Sequence, residues 1–344
     1  MLAYLFPGQG AQTEGFLHRL PAHPASETTV EEASDVLGID VLTLDTVDAL
    51  RSTVAVQISM VVAGVATARA LMAEQLTPDV SAGLSVGAYP AAVSCGALAF
   101  GDALRLVRKR AELMETAYPS GYGLAAISGL TEHEVERLAA KQACDGQPCV
   151  YVGNVNAPRQ IVVAGASAAL DVFIEHALAG GARKAIRLAV SVPSHCELLA
   201  QAADELAAYA RDVPFHTPHS TYVGNRGGRP LHTADAIRED LVTNMRYTVR
   251  WFDALTVIVE MGGRVLMEAP PGQVLTDIAR EHFPGIIALP ASTLRFDQLV
   301  ATVKRRIDTN ADTNADANAD TNADANTDAN TDANTDASTG ANTR

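Results

Sequence analysis

Val80-Ser81-Ala82-Gly83-Leu84-Ser85-Val86-Gly87-Ala88-Tyr89 is the segment from which the architecture can be read. Val80 to Ser85 is a short, mostly apolar run that meets Gly87 and then an Ala-rich stretch from Tyr89, so it predicts a strand, a sharp turn and a helix. Upstream, apolar residues recur at helical spacing from Thr53 to Gln75, and Leu2 to Phe6 is a buried strand stopped by Pro7-Gly8. Downstream, Asp102 reads as the N-cap of a helix carrying Leu104, Leu106, Val107, Leu113 and Met114. Strands alternating with helices indicate an α/β fold with a largely parallel sheet covered on both faces.

Between Gly121 and Val192 the rhythm changes to six elements: Gly123 to Ile127, Glu132 to Ala143, Val150 to Asn154, Gln160 to Ala164, Ser167 to Ala179 and Lys184 to Val190. Their order, βαββαβ, is ferredoxin-like, with Asn156-Ala157-Pro158-Arg159 as the hairpin turn. The chain then returns to the main sheet through Tyr222-Val223-Gly224 and Val265 to Glu268, with helices at Ala200 to Arg211 and Gln273 to His282. This divides the chain into a discontinuous core (1–121 and 193–308), an inserted subdomain (122–192) and a tail (309–344). The tail repeats Asn, Asp, Ala and Thr with no apolar side chain larger than Ala, and is expected to be disordered.

Of the 344 residues, 48% are apolar, enough for a sizeable core without disulfide or metal staples. The net charge of −14 divides into −6 in the tail and −8 in the body, which disfavours nucleic-acid and anionic-membrane partners. Thr53 to Ala68 is interrupted by Gln57, followed by Arg69, and falls short of a roughly 20-residue apolar span, so it reads as a buried helix. The N-terminus lacks a signal-peptide pattern and there are four cysteines, Cys95, Cys144, Cys149 and Cys196. A cytoplasmic protein with free thiols and no metal site is expected.

Gly83-Leu84-Ser85-Val86-Gly87 matches G-x-S-x-G at a strand-to-helix junction, where a serine hydroxyl can be presented as a nucleophile. An ordinary serine N-cap in a Gly-rich turn fits the same residues. A serine needs a base, most often histidine. Of nine histidines, His18, His23, His133, His176, His232 and His282 lie in polar surroundings, and His216 and His219 in a Pro-containing loop. His195 differs in following an apolar strand end broken by Pro193, where sheet enzymes place reacting groups. Arg110, beside Arg105, Arg108 and Lys109, is by composition a surface cation, and Gln57 a lone amide in an apolar helix.

Phe6-Pro7-Gly8-Gln9-Gly10-Ala11-Gln12, Gly83 to Gly87, Arg110 and Ser191-Val192-Pro193-Ser194-His195-Cys196 occur in the order found in malonyl-CoA:acyl carrier protein transacylases. The chain resembles that family over nearly all of residues 1 to 300, including Asn154-Val155-Asn156-Ala157-Pro158 and Pro271-Gly272-Gln273-Val274-Leu275-Thr276. The resemblance implies an α/β-hydrolase-like core with a ferredoxin-like insert, and ping-pong transfer with malonyl-CoA as substrate and no bound cofactor. It implies Ser85 as nucleophile, His195 as base and the backbone N–H groups of Gln9 and Val86 as oxyanion donors. Arg110 would bind the substrate carboxylate, Gln57 and Leu84 would line the acyl pocket, and a backbone carbonyl near Arg250 would orient the imidazole.

The fatty-acid enzymes usually read G-H-S-x-G-E around the nucleophile, whereas this chain has Leu84 and Ala88 at the two polar positions. With Tyr222 to Arg226 and Ala269 to Thr276, this resembles the transacylase (epsilon) subunit of malonate decarboxylase. That resemblance implies a phosphoribosyl-dephospho-CoA carrier subunit as acceptor and other decarboxylase subunits as partners. The alternatives are a transacylase of fatty-acid or polyketide synthesis with a phosphopantetheine carrier, a serine hydrolase, and a non-catalytic carrier-docking subunit.

Overall fold

The computed structural model describes residues 1–142 and 149–308; the tail assignment and Cys144 lie outside the described residues. The strands are β1 (Leu2–Phe6), β2 (Val80–Gly83), β3 (Tyr122–Ser128), β4 (Val150–Ala157), β5 (Gln160–Ala166), β6 (Lys184–Arg187), β7 (Thr221–Val223), β8 (Pro230–Leu231), β9 (Val265–Glu268) and β10 (Ile287–Pro290). The helices are α1 (Pro24–Leu37), α2 (Thr53–Ala73), α3 (Ala88–Ser94), α4 (Phe100–Ala117), α5 (Glu132–Lys141), α6 (Ser167–Ala179), α7 (Ala200–Tyr209), α8 (Ala234–Thr243), α9 (Trp251–Glu260) and α10 (Val274–His282). A further helix covers 296–308.

The main sheet has the order β10-β9-β1-β2-β7-β8, parallel except for β8. Alternation along β1 sets its two faces. Leu2, Tyr4 and Phe6 pack into the core built with α2 and α4, while Ala3 and Leu5 face Trp251, Leu255 and Ile258 of α9 and Leu275 and Ile278 of α10. Helix α2 is apolar all round and buried between layers, as a helix without a polar face must be. It is long and apolar enough to pass as a membrane span, which corrects the length-based expectation; its burial inside the fold accounts for it instead.

The second sheet has the order β4-β5-β3-β6, antiparallel throughout, with α5 and α6 covering one face through Val135, Leu170 and Phe173. This is the ferredoxin-like arrangement. Helix α5 starts at a capping box in which Thr131 and Glu134 satisfy each other's backbone N–H groups. The insert is stitched to the core by Val155 N–H donating to the Val249 carbonyl and Val249 N–H to that of Gly153, and by Arg250 bridging to Glu132 at 2.5 Å.

Several boundaries differ from the sequence expectation. Asp102 is not the N-cap of α4: the cap is Ala99 without a side-chain bond, and Asp102 lies in the first turn paired with Arg105. Strand β4 runs on to Ala157, so the hairpin turn is only Pro158-Arg159, and β6 stops at Arg187. Cys149 is disulfide-bonded rather than a free thiol, while Cys95 and Cys196 are free and buried.

The turn after β2 brings backbones into close contact. A Cβ at Gly83 would lie 1.9 Å from the Gly87 carbonyl oxygen, and one at Gly87 would lie 2.2 Å from that of Phe6. Gly101, in the first turn of α4, would place a Cβ 3.5 Å from its neighbours. Gly83→Ala or Gly87→Ala is expected to lower stability in urea unfolding by at least about 3 kcal/mol. Gly101→Ala should be neutral or stabilising by up to about 1 kcal/mol.

Candidate active site

Ser85 follows β2 in a single 3₁₀ turn, Ser85–Gly87, that leads into α3. Its φ is +57°, a left-handed conformation that costs a non-Gly residue energy and persists only where the surroundings impose it. Its hydroxyl caps no backbone N–H, which removes the reading as an ordinary N-cap. Nor does it stand exposed as the motif suggested. Ser85 is 8% exposed, at the floor of a cavity of about 210 Å³ between the main sheet and the insert.

His195 is brought to Ser85 by the loop after Pro193. Its φ is +68°, and its N–H donates to the Met245 carbonyl at 2.7 Å. The imidazole Nε2 lies 2.8 Å from Ser85 Oγ, and Nδ1 lies 2.7 Å from the Asn244 carbonyl oxygen. A carbonyl only accepts, so Nδ1 carries the proton and Nε2 presents its lone pair to the serine hydroxyl. The orienting carbonyl is therefore that of Asn244, six residues before the expected Arg250; Arg250 pairs instead with Glu132 and Asp253. Among the described residues His195 is the one buried histidine of the nine.

Arg110 is 0% exposed, although Arg105 and Arg108 on the same helix are exposed and paired with Asp102 and Glu112. It falls on the face of α4 that also buries Ala103, Leu106, Val107 and Met114. Its Nη1 donates to Gln57 Oε1 at 2.6 Å, and its Nη2 donates to Ser85 Oγ at 3.2 Å and Asn244 Oδ1 at 3.1 Å. Its Nε has no partner, and among the described residues no carboxylate pairs with it. Burial lowers its pKa from the ordinary arginine value.

The cavity is lined by Gly8, Gln9, Gln57, Leu84, Ser85, Met114 and His195 from the core, and by Asn154, Asn156, Gln160 and Val162 from the insert. Gln9, Gln57 and Leu84 thus share one cavity with Ser85 and His195, and Val86 follows Ser85 fully buried in the turn. Two asparagines outside the sequence expectation also reach this site. Asn244 touches His195 through its carbonyl and Arg110 through its side chain, and also donates to the Ser85 carbonyl at 3.3 Å. Asn225 accepts from Ser85 N–H. The pattern that could have flagged Arg110 was its helical spacing from Leu106 and Met114; nothing in the sequence pointed to Asn244.

A hydroxyl, a neutral imidazole and a guanidinium without a carboxylate partner, brought to one point, have the chemistry to act as nucleophile, base and anion receptor. Such a constellation beside the elbow of a parallel sheet has the groups that acyl transfer requires. Residues 3–323 match the family described as acyl transferase domain, and the chain belongs to that family; it is an acyltransferase. It is 38% identical over 285 residues, 81% of this chain and 91% of the relative, to the malonyl CoA-acyl carrier protein transacylase of Haemophilus influenzae. The Escherichia coli K12 relative of that name is 37% identical over 284 residues, 81% of this chain and 91% of its own. Among solved structures it is similar to an acyl-carrier-protein S-malonyltransferase from Burkholderia pseudomallei (TM-score 0.82, 35% identity, 87% of this chain and 99% of that one). It is also similar to a malonyl-transacylase solved in complex with its type II polyketide acyl carrier protein (TM-score 0.80, 36% identity, 85% and 96%).

The His195 pKa is depressed to about 3, first by burial and then by repulsion from Arg110. The imidazole must be neutral to accept the serine proton, and a depressed pKa keeps it neutral as the pH falls. The rate of Ser85 modification should therefore stay level from pH 7 to pH 5 and fall only toward the depressed value. Arg110→Leu should move the acid limb upward. An acid limb in the unsubstituted protein centred near the ordinary histidine value of about 6.5 would contradict this.

Proposed function

We propose that Ser85, His195 and Arg110 carry a malonyl group from malonyl-CoA, through a Ser85 acyl-enzyme, to the thiol of an acyl carrier protein in the cytoplasm. The observation that carries this reading is the buried Arg110 guanidinium beside Ser85 Oγ, with neutral amides and a hydroxyl as its partners and no carboxylate. A buried cation of that kind is costly until an anion reaches it. A malonyl group brings a free carboxylate to a planar fork of donors, and an acetyl group does not.

Ser85 Oγ attacks the thioester carbonyl as His195 Nε2 takes its proton. The backbone N–H groups of Gln9 and Val86 hold the oxyanion, the C–S bond breaks, and the departing thiolate takes the proton from His195. The carrier thiol then repeats the steps in reverse, with no bound cofactor. The arrangement supports this through the hydrogen bond to Asn244, which fixes the imidazole tautomer without a triad acid. Residues 122–192 are proposed as the inserted subdomain that closes the cavity over the 1–121 and 193–308 core.

The relatives' names support a phosphopantetheine carrier of fatty-acid or polyketide synthesis as the acceptor. One observation favours a second reading: Leu84 and Ala88 replace the usual polar pair, and Leu84 lines the cavity. That reading is the phosphoribosyl-dephospho-CoA carrier of malonate decarboxylase, with the other subunits of that enzyme as partners. Incubation with labelled malonyl-CoA, peptide mapping, and then addition of each carrier separates the two by where the label goes. Failure to label Ser85 would refute both. Arg110→Ala is expected to lower malonyl transfer by about 10²-fold or more while acetyl transfer is retained or raised. Equal losses for the two acyl groups would exclude the clamp role.

A further inference from the structure

Strand β7 pairs with β2 in parallel register, Val80 with Thr221, Ser81 with Tyr222 and Ala82 with Val223, and then stops. Extending the register by two residues sets Asn225 opposite Leu84. In a parallel ladder every second residue donates its N–H to the carbonyl before its partner and accepts from the N–H after it. Thr221 shows the phase, its N–H donating to the Asp79 carbonyl at 3.0 Å. Val223 and Asn225 follow at intervals of two. A backbone at position 225 that continued the ladder would donate to Gly83 O and accept from Ser85 N–H.

Those two bonds are present, but the side chain makes them. Asn225 Nδ2 donates to the Gly83 carbonyl at 2.8 Å, and Asn225 Oδ1 accepts from Ser85 N–H at 2.8 Å. The backbone of Asn225 is committed elsewhere: its N–H donates to the Asp240 carboxylate at 2.9 and 3.1 Å, and its carbonyl accepts from Arg250 N–H at 2.9 Å. Asp240 is itself buried and held by Arg226 N–H and the Tyr222 hydroxyl. Gly224 permits the approach, since a Cβ there would lie 2.9 Å from Asp240 Oδ1.

We infer that Asn225, anchored by Asp240, is a positioning residue for the nucleophile: its carboxamide continues the sheet ladder as a surrogate backbone and holds Ser85 in its left-handed turn against His195. A carboxamide suits this because it sets one donor and one acceptor side by side, as a peptide group does. A carboxylate lacks the donor, and a hydroxyl has a single atom for both tasks. The inference rests on Ser85 being the nucleophile, as proposed above.

The test measures Ser85 labelling by a fluorophosphonate, in which the Oγ–P bond forms, the P–F bond breaks, fluoride departs and the serine proton passes to His195. This readout needs neither malonyl-CoA nor a carrier. Failure of the unsubstituted protein to label would overturn the nucleophile assignment and this inference with it. If it labels, Asn225→Ala should label about 10²-fold more slowly, with the KM for malonyl-CoA within about twofold, since misplacement of a reacting group by about 1 Å costs that much in rate. Labelling at the unsubstituted rate would refute the inference.

Asn225→Asp decides the matter if the alanine variant folds poorly. Ionised, the new carboxyl repels the Gly83 carbonyl; protonated, it restores one donor and one acceptor. Asp240, which accepts from the N–H of the same residue, raises the new group's pKa, while Arg226, Arg250 and Arg110 oppose that shift and Tyr222 and His195 complete the titratable surroundings. Slow labelling at pH 8 that recovers at pH 5, where the unsubstituted protein is level, would support the ladder role. Slow labelling that is the same at both pH values, or labelling equal to the unsubstituted protein throughout, would refute it.

Discussion

One buried positive charge organises this site. The Arg110 guanidinium reaches from α4 to Gln57 of α2, to Ser85 at the elbow and to Asn244 in the turn before α9, and so ties together three separate parts of the chain. Removing a guanidinium from water without a carboxylate is unfavourable, and neutral amides offset only part of that cost. The same charge disfavours a proton on His195, which leaves the imidazole ready to accept one. The proposed anion receptor and the proposed base are thus coupled by a single field.

The proposed nucleophile and base both sit at positive φ, Ser85 at +57° and His195 at +68°. Neither conformation is favourable for its residue type, so the surroundings must impose it. They do so with backbone and amide groups: the close approach of Gly83 to Gly87, the Met245 carbonyl on His195 N–H, and Asn225 on Ser85 N–H. Regular sheet geometry ends where reactive geometry begins, and hydrogen bonds bridge the gap. The insert takes part from the opposite side, since its strand β4 pairs with the segment around Val249 that follows Asn244.

Much of the fold was legible where pattern and position coincide. β1, β2, α2, α6 and the order of the insert follow from apolar periodicity and turn residues. Helices α1, α8 and α9 and strand β10 lie outside the sequence expectation and are defined by the surfaces they pack on, as α9 is by the Ala3 and Leu5 face of β1. Asp102 shows the limit of local pattern, since an acidic residue suits the first turn, where it meets the helix dipole, as well as the cap.

The sequence by itself determined the alternation of strands and helices, the glycines that let the elbow form, and the serine within it, since each depends on local spacing and on backbone freedom that nearby residues set. The motif order also named Arg110 and His195 by resemblance. Only the tertiary structure decided that Arg110 is buried and without a carboxylate, that the Asn244 carbonyl holds the imidazole, and that an asparagine side chain completes the sheet beside Ser85. Those bonds join residues 25 to 142 positions apart. No local pattern encodes them, because the distance between two such groups is fixed by packing of the whole core.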